Sequence, residues 1–215
     1  MLNNILPLMK WMKRQRNYRY QFKWDSKYCY PNSQVLINKL NIRDANLLTE
    51  REREITSIAL QELLEFPIQG NFNVAHLKAI NKAIFQDIYP WADEFRTVNI
   101  SKGSSFCSWP FIEDNANTLF NELKQEDYLQ KTDVLRLYQR LAYYFSEINA
   151  IHPFREGNGR TQRVFLEYLA NTLGYTLQFS LVSPNQMLEA SVESFIGNLN
   201  PLEDLFCRIL QTLQD

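Results

Sequence analysis

Apolar residues recur at helical spacing along almost the whole chain. After Thr49-x-x-Glu52, which has the form of a capping box, Ile55, Ile58, Ala59 and Leu63 follow at helical spacing. Asn73 is placed to cap a second helix with the stripe Val74, Leu77, Ile80, Ile84 and Ile88, and Pro90 marks its end. Phe111–Leu129 and Thr132–Ile151 read as two further helices. The second carries Leu135, Tyr138, Leu141, Ala142, Phe145 and Ile148 and is apolar almost all round, the pattern of a central buried helix. Arg160–Leu173 follows, stopped by Gly174, and then Pro184–Ile196 and Leu202–Leu213. The last is opened by Asn200 as cap, with Pro201 at the first helical position. One segment departs from this pattern. Arg96–Pro110 has β-type residues on both sides of Lys102-Gly103-Ser104-Ser105 and reads as a short β-hairpin lying on the helices. The expected fold is therefore all-α with one small hairpin, which is either functional or a plain connector.

Composition adds limits. At 215 residues, 45% hydrophobic and 22% charged, the chain suits one well-buried core. No apolar run is long enough to span a membrane. The apolar stretch at residues 1–12 precedes its basic cluster and lacks a cleavage site, unlike a secretory signal. Cys29, Cys107 and Cys207 are odd in number and far apart, so neither a disulfide framework nor a zinc site is expected, and a reducing cytoplasm is the natural compartment. No repeat or Gly/Ser-rich linker divides the chain. The net charge of −1 hides an asymmetry: Lys10, Lys13, Arg14, Arg16, Arg19 and Lys23 precede the first acid, Asp25. We therefore separate a basic arm, residues 1–25, from a single domain over residues 26–215. Residues 1–23 read first as a solvated leader or as a segment that docks on the acidic body of the chain, and second as an arm able to touch nucleic acid or an anionic partner.

Candidate chemistry concentrates between two of the helices, in His152-Pro153-Phe154-Arg155-Glu156-Gly157-Asn158-Gly159-Arg160-Thr161-Gln162-Arg163. Pro153 and the Gly157/Gly159 pair stop helix continuation, and glycines let backbone N–H groups approach an anion closely. The next helix starts there, so its positive end faces the same spot. Arg160 and Arg163 are three apart on one face and suit the β- and γ-phosphates of a triphosphate. Glu156 among these cations is either an ion-pair partner of Arg160 or Arg163, or a Mg²⁺ ligand once phosphates are present. His152 is one of two histidines; taken alone it reads as a core or capping histidine, and a neutral imidazole there can also act as general base. The other, His76, lies within an amphipathic pattern and reads as structural. Phe154 reads as an anchor for the loop.

This segment resembles the signature of the Fic family, His-x-Phe-x-Asp/Glu-Gly-Asn-Gly-Arg-x-x-Arg, with every specified position present. The resemblance extends to a hairpin with Lys102-Gly103, similar to the family's flap over the active site. It also takes in the helical surroundings from about Tyr30 to Leu213. Tyr30-Pro31 and Asn38-Lys39-Leu40-Asn41-Ile42-Arg43 resemble bacterial Fic toxins in particular. It implies a mainly helical Fic fold and a protein adenylyltransferase that moves AMP from ATP to a Tyr, Thr or Ser hydroxyl. By the same resemblance His152 would be the base and Glu156 would hold Mg²⁺. Gly157, Asn158 and Gly159 would form the anion hole, and Arg160 and Arg163 would take the β- and γ-phosphates. Lys102 and Gly103 would cover the nucleotide, and the target protein would dock on the Arg96–Pro110 flap. Doc-type kinases of the superfamily carry Lys at the position of Gly159, so Gly159 and Arg163 favour AMP transfer; transfer of another nucleotide such as UMP, or a non-catalytic binding module, are the alternatives. Many Fic proteins carry an inhibitory Ser/Thr-x-x-x-Glu-Gly/Asn helix. Only Thr118-x-x-x-Glu122 has that spacing here, and Leu123 follows it. A chance match is expected, with inhibition by a separate antitoxin-like protein.

Overall fold

The structure, a computed structural model, describes residues 27–102 and 104–213; the basic arm lies outside the described residues. Seven α-helices are present among them: α1 (Ala45–Glu65), α2 (Val74–Phe85), α3 (Ile112–Gln125), α4 (Val134–Ile151), α5 (Asn158–Thr172), α6 (Pro184–Phe195) and α7 (Asn200–Ile209). They share one hydrophobic core. At its centre α4 packs against α3, α5, α6 and α7, while α2 bridges α1, α3 and α5. The expected buried helix is α4, whose Leu141, Ala142, Tyr144 and Phe145 are inaccessible to solvent.

Local chemistry sets the ends of these helices, and two expected caps are displaced. α1 starts four residues before Thr49, because Asp44 accepts the Leu47 N–H (2.8 Å) as N-cap. The Thr49 hydroxyl instead donates to the Ala45 carbonyl (2.8 Å) inside the helix, and Glu52 is left to accept from Arg160 (2.6 Å). Asn73 caps α2 as expected, accepting the His76 N–H (3.0 Å). α2 ends at Phe85, short of Ile88, which is buried in the following turn. Asp133 opens α4, and a capping box between Ser183 and Gln186 opens α6. In α7 the cap is Leu199 rather than Asn200, and the helix stops at Ile209 instead of continuing to Leu213.

The residues after Ile209 are extended. β4 (Leu210–Thr212) pairs antiparallel with β3 (Tyr175–Leu177), in the register Tyr175↔Thr212, Thr176↔Gln211 and Leu177↔Leu210. Gly174, at φ +82°, ends the α5 turn and aims the chain into β3. The expected hairpin is present but shorter than Arg96–Pro110. β1 (Ser101–Lys102) pairs with β2 (Ser104–Ser105), extended only by the Phe106 N–H to the Ile100 carbonyl (3.3 Å). The flanking residues find other partners: Asn99 accepts the Trp109 N–H (2.9 Å), and the Arg96 side chain takes the carbonyls of Val98 and Cys107. Among the described residues no helix is long and apolar enough to cross a membrane, and the three cysteines are free thiols.

The cap assignment separates two substitutions in one exposed turn. Asp44→Ala should cost about 1 kcal/mol in urea denaturation, whereas Thr49→Ala should stay within about 0.5 kcal/mol of wild type.

Candidate active site between two helices

Six residues join α4 to α5 and turn the chain so that the end of one helix faces the start of the next. His152 closes α4 in a left-handed conformation (φ +48°, ψ +61°), its N–H still bonded to Ile148 (2.9 Å). Its carbonyl accepts Nε of Arg96 (2.8 Å). Arg96 is 1% exposed and sends its remaining donors to the carbonyls of Val98 (2.6 Å), Cys107 (2.6 Å) and Ile151 (3.2 Å). A single buried guanidinium thus ties both feet of the hairpin to the backbone of the candidate base. Its own N–H reinforces the tie by bonding the Pro153 carbonyl (2.9 Å).

The imidazole of His152 is 6% exposed, and burial pushes its pKa down to about 3, with the positive charges of Arg96 and Lys102 acting in the same sense. It is therefore neutral at physiological pH. Nδ1 lies 3.3 Å from the Asn149 carbonyl, so the proton is assigned to Nδ1, and Nε2 becomes the proton-accepting atom. The ring stacks on Phe106 at 3.8 Å between centroids and 13° between planes.

Beyond His152, Phe154 anchors the loop as expected: it is buried, pairs with Phe95 through a backbone bridge and contacts its ring. Asn158 uses its side chain for the same purpose, accepting the Phe154 N–H and donating to the Phe154 carbonyl (both 2.8 Å). Only the backbone of Asn158 is left to face an anion. Gly157 sits at φ +82°, and a Cβ built on it would lie 2.0 Å from the Phe85 ring. No side chain caps α5. Thr161 is the first residue whose N–H bonds back, to Gly157 (3.0 Å), so those of Asn158, Gly159 and Arg160 form the positive end of the helix.

The two arginines, expected to act alike, are differently employed. Arg160 is held by protein groups: Nη1 donates to the Thr56 hydroxyl (3.0 Å), and Nη2 to Glu52 (2.6 Å), with Glu156 3.5 Å away. Its guanidinium also lies 4.6 Å from the centre of the Phe85 ring. Glu52 in turn accepts from the buried Tyr89 hydroxyl, whose pKa is driven far upward by burial and the Glu52 charge. Arg163 is partly buried and, among the described residues, has neither an acidic partner nor a hydrogen-bond acceptor. Burial and the neighbouring Arg160 charge lower its pKa. Gly159 lies beneath it; a Cβ there would reach 3.4 Å from Nη1.

Glu156 stands between opposing influences. Burial and the Glu52 carboxylate raise its pKa against the opposing effects of Arg160 and the Gly157 N–H, which bonds it at 2.8 Å. Both alternatives read for it in the sequence bear on the geometry, since the Arg160 pair exists at 3.5 Å yet is the longest of the contacts to that guanidinium. Among the described residues no group of three or more His, Cys, Asp or Glu side chains forms a metal cluster. A partly buried carboxylate beside a positive helix end nevertheless fits a magnesium ion that arrives with phosphates, which takes one or two carboxylates and completes its shell with phosphate and water.

Lys102 acts on His152 electrostatically from β1, and Gly103 lies outside the described residues. His76 is structural as expected: buried, accepting the Phe72 N–H at Nδ1 (3.3 Å) and facing the Ile68 carbonyl at Nε2 (3.0 Å). Glu122 commits its carboxylate to Arg140 and the Tyr143 hydroxyl (3.0 Å each), and Thr118 bonds within α3. Sequence reasoning missed Glu52, Thr56, Arg96 and Phe106. Glu52 was visible only as one end of a capping box, and nothing local marks the other three.

The Fic/DOC family model matches residues 71–170. The probable protein adenylyltransferase y4lH of Sinorhizobium fredii is 43% identical over 176 residues, covering 81% of this chain and 90% of that protein. The protein adenylyltransferase VbhT of Bartonella schoenbuchensis is 39% identical over 184 residues, which is 85% of this chain but 38% of VbhT. Among solved structures, the BepC protein of Bartonella tribocorum with bound AMPPNP superposes with a TM-score of 0.83 at 27% identity, covering 90% of this chain and all of that one.

The loop geometry yields a paired test. Gly157 and Gly174 share φ +82°, but nothing lies within 4 Å of a Cβ at Gly174. Gly174→Ala should cost about 1–2 kcal/mol of backbone strain, and Gly157→Ala should cost about 1–3 kcal/mol more from the clash with Phe85, as measured by urea denaturation.

Proposed function

The chain belongs to the Fic/DOC family, and from that membership and the loop geometry we infer that it is a protein adenylyltransferase using ATP. The observation that carries the reading is the pairing of an uncapped helix start with Arg163, a partly buried cation without an acidic partner among the described residues. A positive helix end beside an uncompensated guanidinium is a receptor for an anion with several charges. The backbone N–H groups of Asn158, Gly159 and Arg160 and the Arg163 fork hold the phosphates. Arg160, clamped by Glu52 and Thr56, braces Glu156 and adds its charge from the side. Glu156 would hold Mg²⁺, which when bound neutralises phosphate charge and orients the leaving group.

His152 Nε2 takes the proton of a Tyr, Thr or Ser hydroxyl on the target protein. The hydroxyl oxygen bonds to the α-phosphorus, the bond from that phosphorus to the bridging oxygen breaks, and pyrophosphate leaves. The flap, joined to His152 through Arg96, is the place where the target's backbone is held, with Lys102 and Gly103 over the nucleotide. The engagement of Glu122 by Arg140 supports inhibition by a separate antitoxin-like protein rather than by this glutamate. We read residues 26–215 as one Fic domain acting in the cytoplasm.

With α-labelled ATP and a lysate as acceptor, the wild type should label protein. His152→Ala should lose about 100-fold or more of the transfer rate while its affinity for ATP stays within a few-fold. Arg163→Ala should instead weaken ATP binding about 10-fold or more. Undiminished labelling by His152→Ala contradicts the reading.

A further inference from the structure

Phe106 stands where the hairpin meets the catalytic loop. Its N–H continues the hairpin by bonding the Ile100 carbonyl (3.3 Å). The next residue is pinned to the helix that carries the base: the Cys107 N–H bonds the Ala150 carbonyl (3.1 Å), and the Cys107 carbonyl accepts from Arg96 (2.6 Å). Phe106 is thus the last hairpin residue before a fixed point. Its ring lies almost parallel to the His152 imidazole at 3.8 Å. Phe195, at the end of α6, meets Phe106 edge-on, at 6.0 Å and 89°.

The bonds to His152 described above hold its backbone, and Nδ1 of the ring lies 3.3 Å from the Asn149 carbonyl. A hydrogen bond at one ring nitrogen places that atom and does not by itself set the ring plane. A proton-accepting nitrogen must meet the incoming hydroxyl within a narrow cone, and an error of about 1 Å in placement costs about 100-fold. A parallel aromatic ring, itself in edge contact with Phe195, restrains that plane and keeps water off one face of the imidazole. We infer that Phe106 is a positioning residue of the AMP-transfer reaction, setting the plane of the His152 ring through the stack and making the base responsive to the position of the hairpin.

The inference rests on the adenylyltransferase reading and adds a role that the signature does not contain. Several groups act on the ring. Arg96, in the segment entering the hairpin, and Lys102, in β1, are both positive; α4 presents the Asn149 carbonyl, and Phe106 presents its ring face. Burial is the largest influence on the imidazole, so opening one face to water should move its titration upward, toward the ordinary value.

The chain has two histidines, so their ring signals in an NMR titration are separable, and the one absent from His152→Ala is assigned. Phe106→Ala should raise the pKa of His152 by more than about one unit and leave His76 unchanged. In transfer assays with α-labelled ATP, the same variant should lower kcat about 10- to 100-fold with KM for ATP changed less than about twofold. The acid limb of its kcat profile should move to higher pH. Phe106→Tyr, which keeps the stack, should restore kcat to within about threefold, and Phe106→Leu, which keeps bulk without the stack, should remain about 3- to 10-fold low. These two variants carry the test if the alanine substitution fails to fold. A wild-type kcat and wild-type His152 titration in Phe106→Leu overturn the inference, as does a loss of ATP affinity as large as the loss of kcat. An active wild type with those results sinks this inference alone, whereas a wild type that transfers no AMP removes the functional reading as well.

Discussion

An uncompensated positive charge at the start of α5 is the constraint around which the rest is arranged. A helix leaves its first N–H groups without intrahelical partners, and most proteins cover them with a side chain from the cap. Here the cap is Gly157, which has no side chain to offer, and the residue that could have served, Asn158, is folded back onto Phe154. The adjoining Arg163 adds a charge in a partly buried position and, among the described residues, has no carboxylate beside it. Such an arrangement is unfavourable in the isolated protein and becomes favourable when an anion is present, which is why we propose it as the seat of the phosphates.

The surroundings make that sacrifice tolerable. Phe85 closes against Gly157 and against the face of Arg160, and Glu52 and Thr56 from α1 hold Arg160 rigid. One arginine of the pair therefore serves the scaffold and the other is left for ligand, although their spacing in the chain treats them as equivalent. Arg96 does the corresponding work for the base. Its guanidinium donates to four carbonyls drawn from the hairpin and from the end of α4. This binds a marginal two-stranded element to the imidazole we propose as the base. A hairpin of two residues per strand has little stability of its own.

Much of this was legible before any coordinates. The periodicity located the helices, and α4 was recognisable as central because its apolar positions run nearly all round. The signature loop was recognisable because glycine, proline and paired arginines have few other reasons to occur together. What failed did so for physical reasons. Thr49 and Asp44 both have side chains able to cap, and only the backbone at Asp44 is extended there. Leu210–Thr212 continues an apolar pattern that suits a helix or a strand, and the choice was made by β3, more than thirty residues earlier. Glu52, Arg96 and Phe106 were missed because each meets its partner across a long separation in sequence: Arg160, the His152 carbonyl and the His152 ring. Their roles come from tertiary contact, which local spacing does not encode.

The most direct measurement of the central claim is a crystal structure of the His152→Ala variant with ATP and magnesium. The account places the phosphate chain against the N–H groups of Asn158, Gly159 and Arg160, with Arg163 on the terminal phosphates and Glu156 on the metal. A nucleotide bound elsewhere, with the start of α5 empty or Arg163 turned onto a carboxylate of the protein itself, would contradict it.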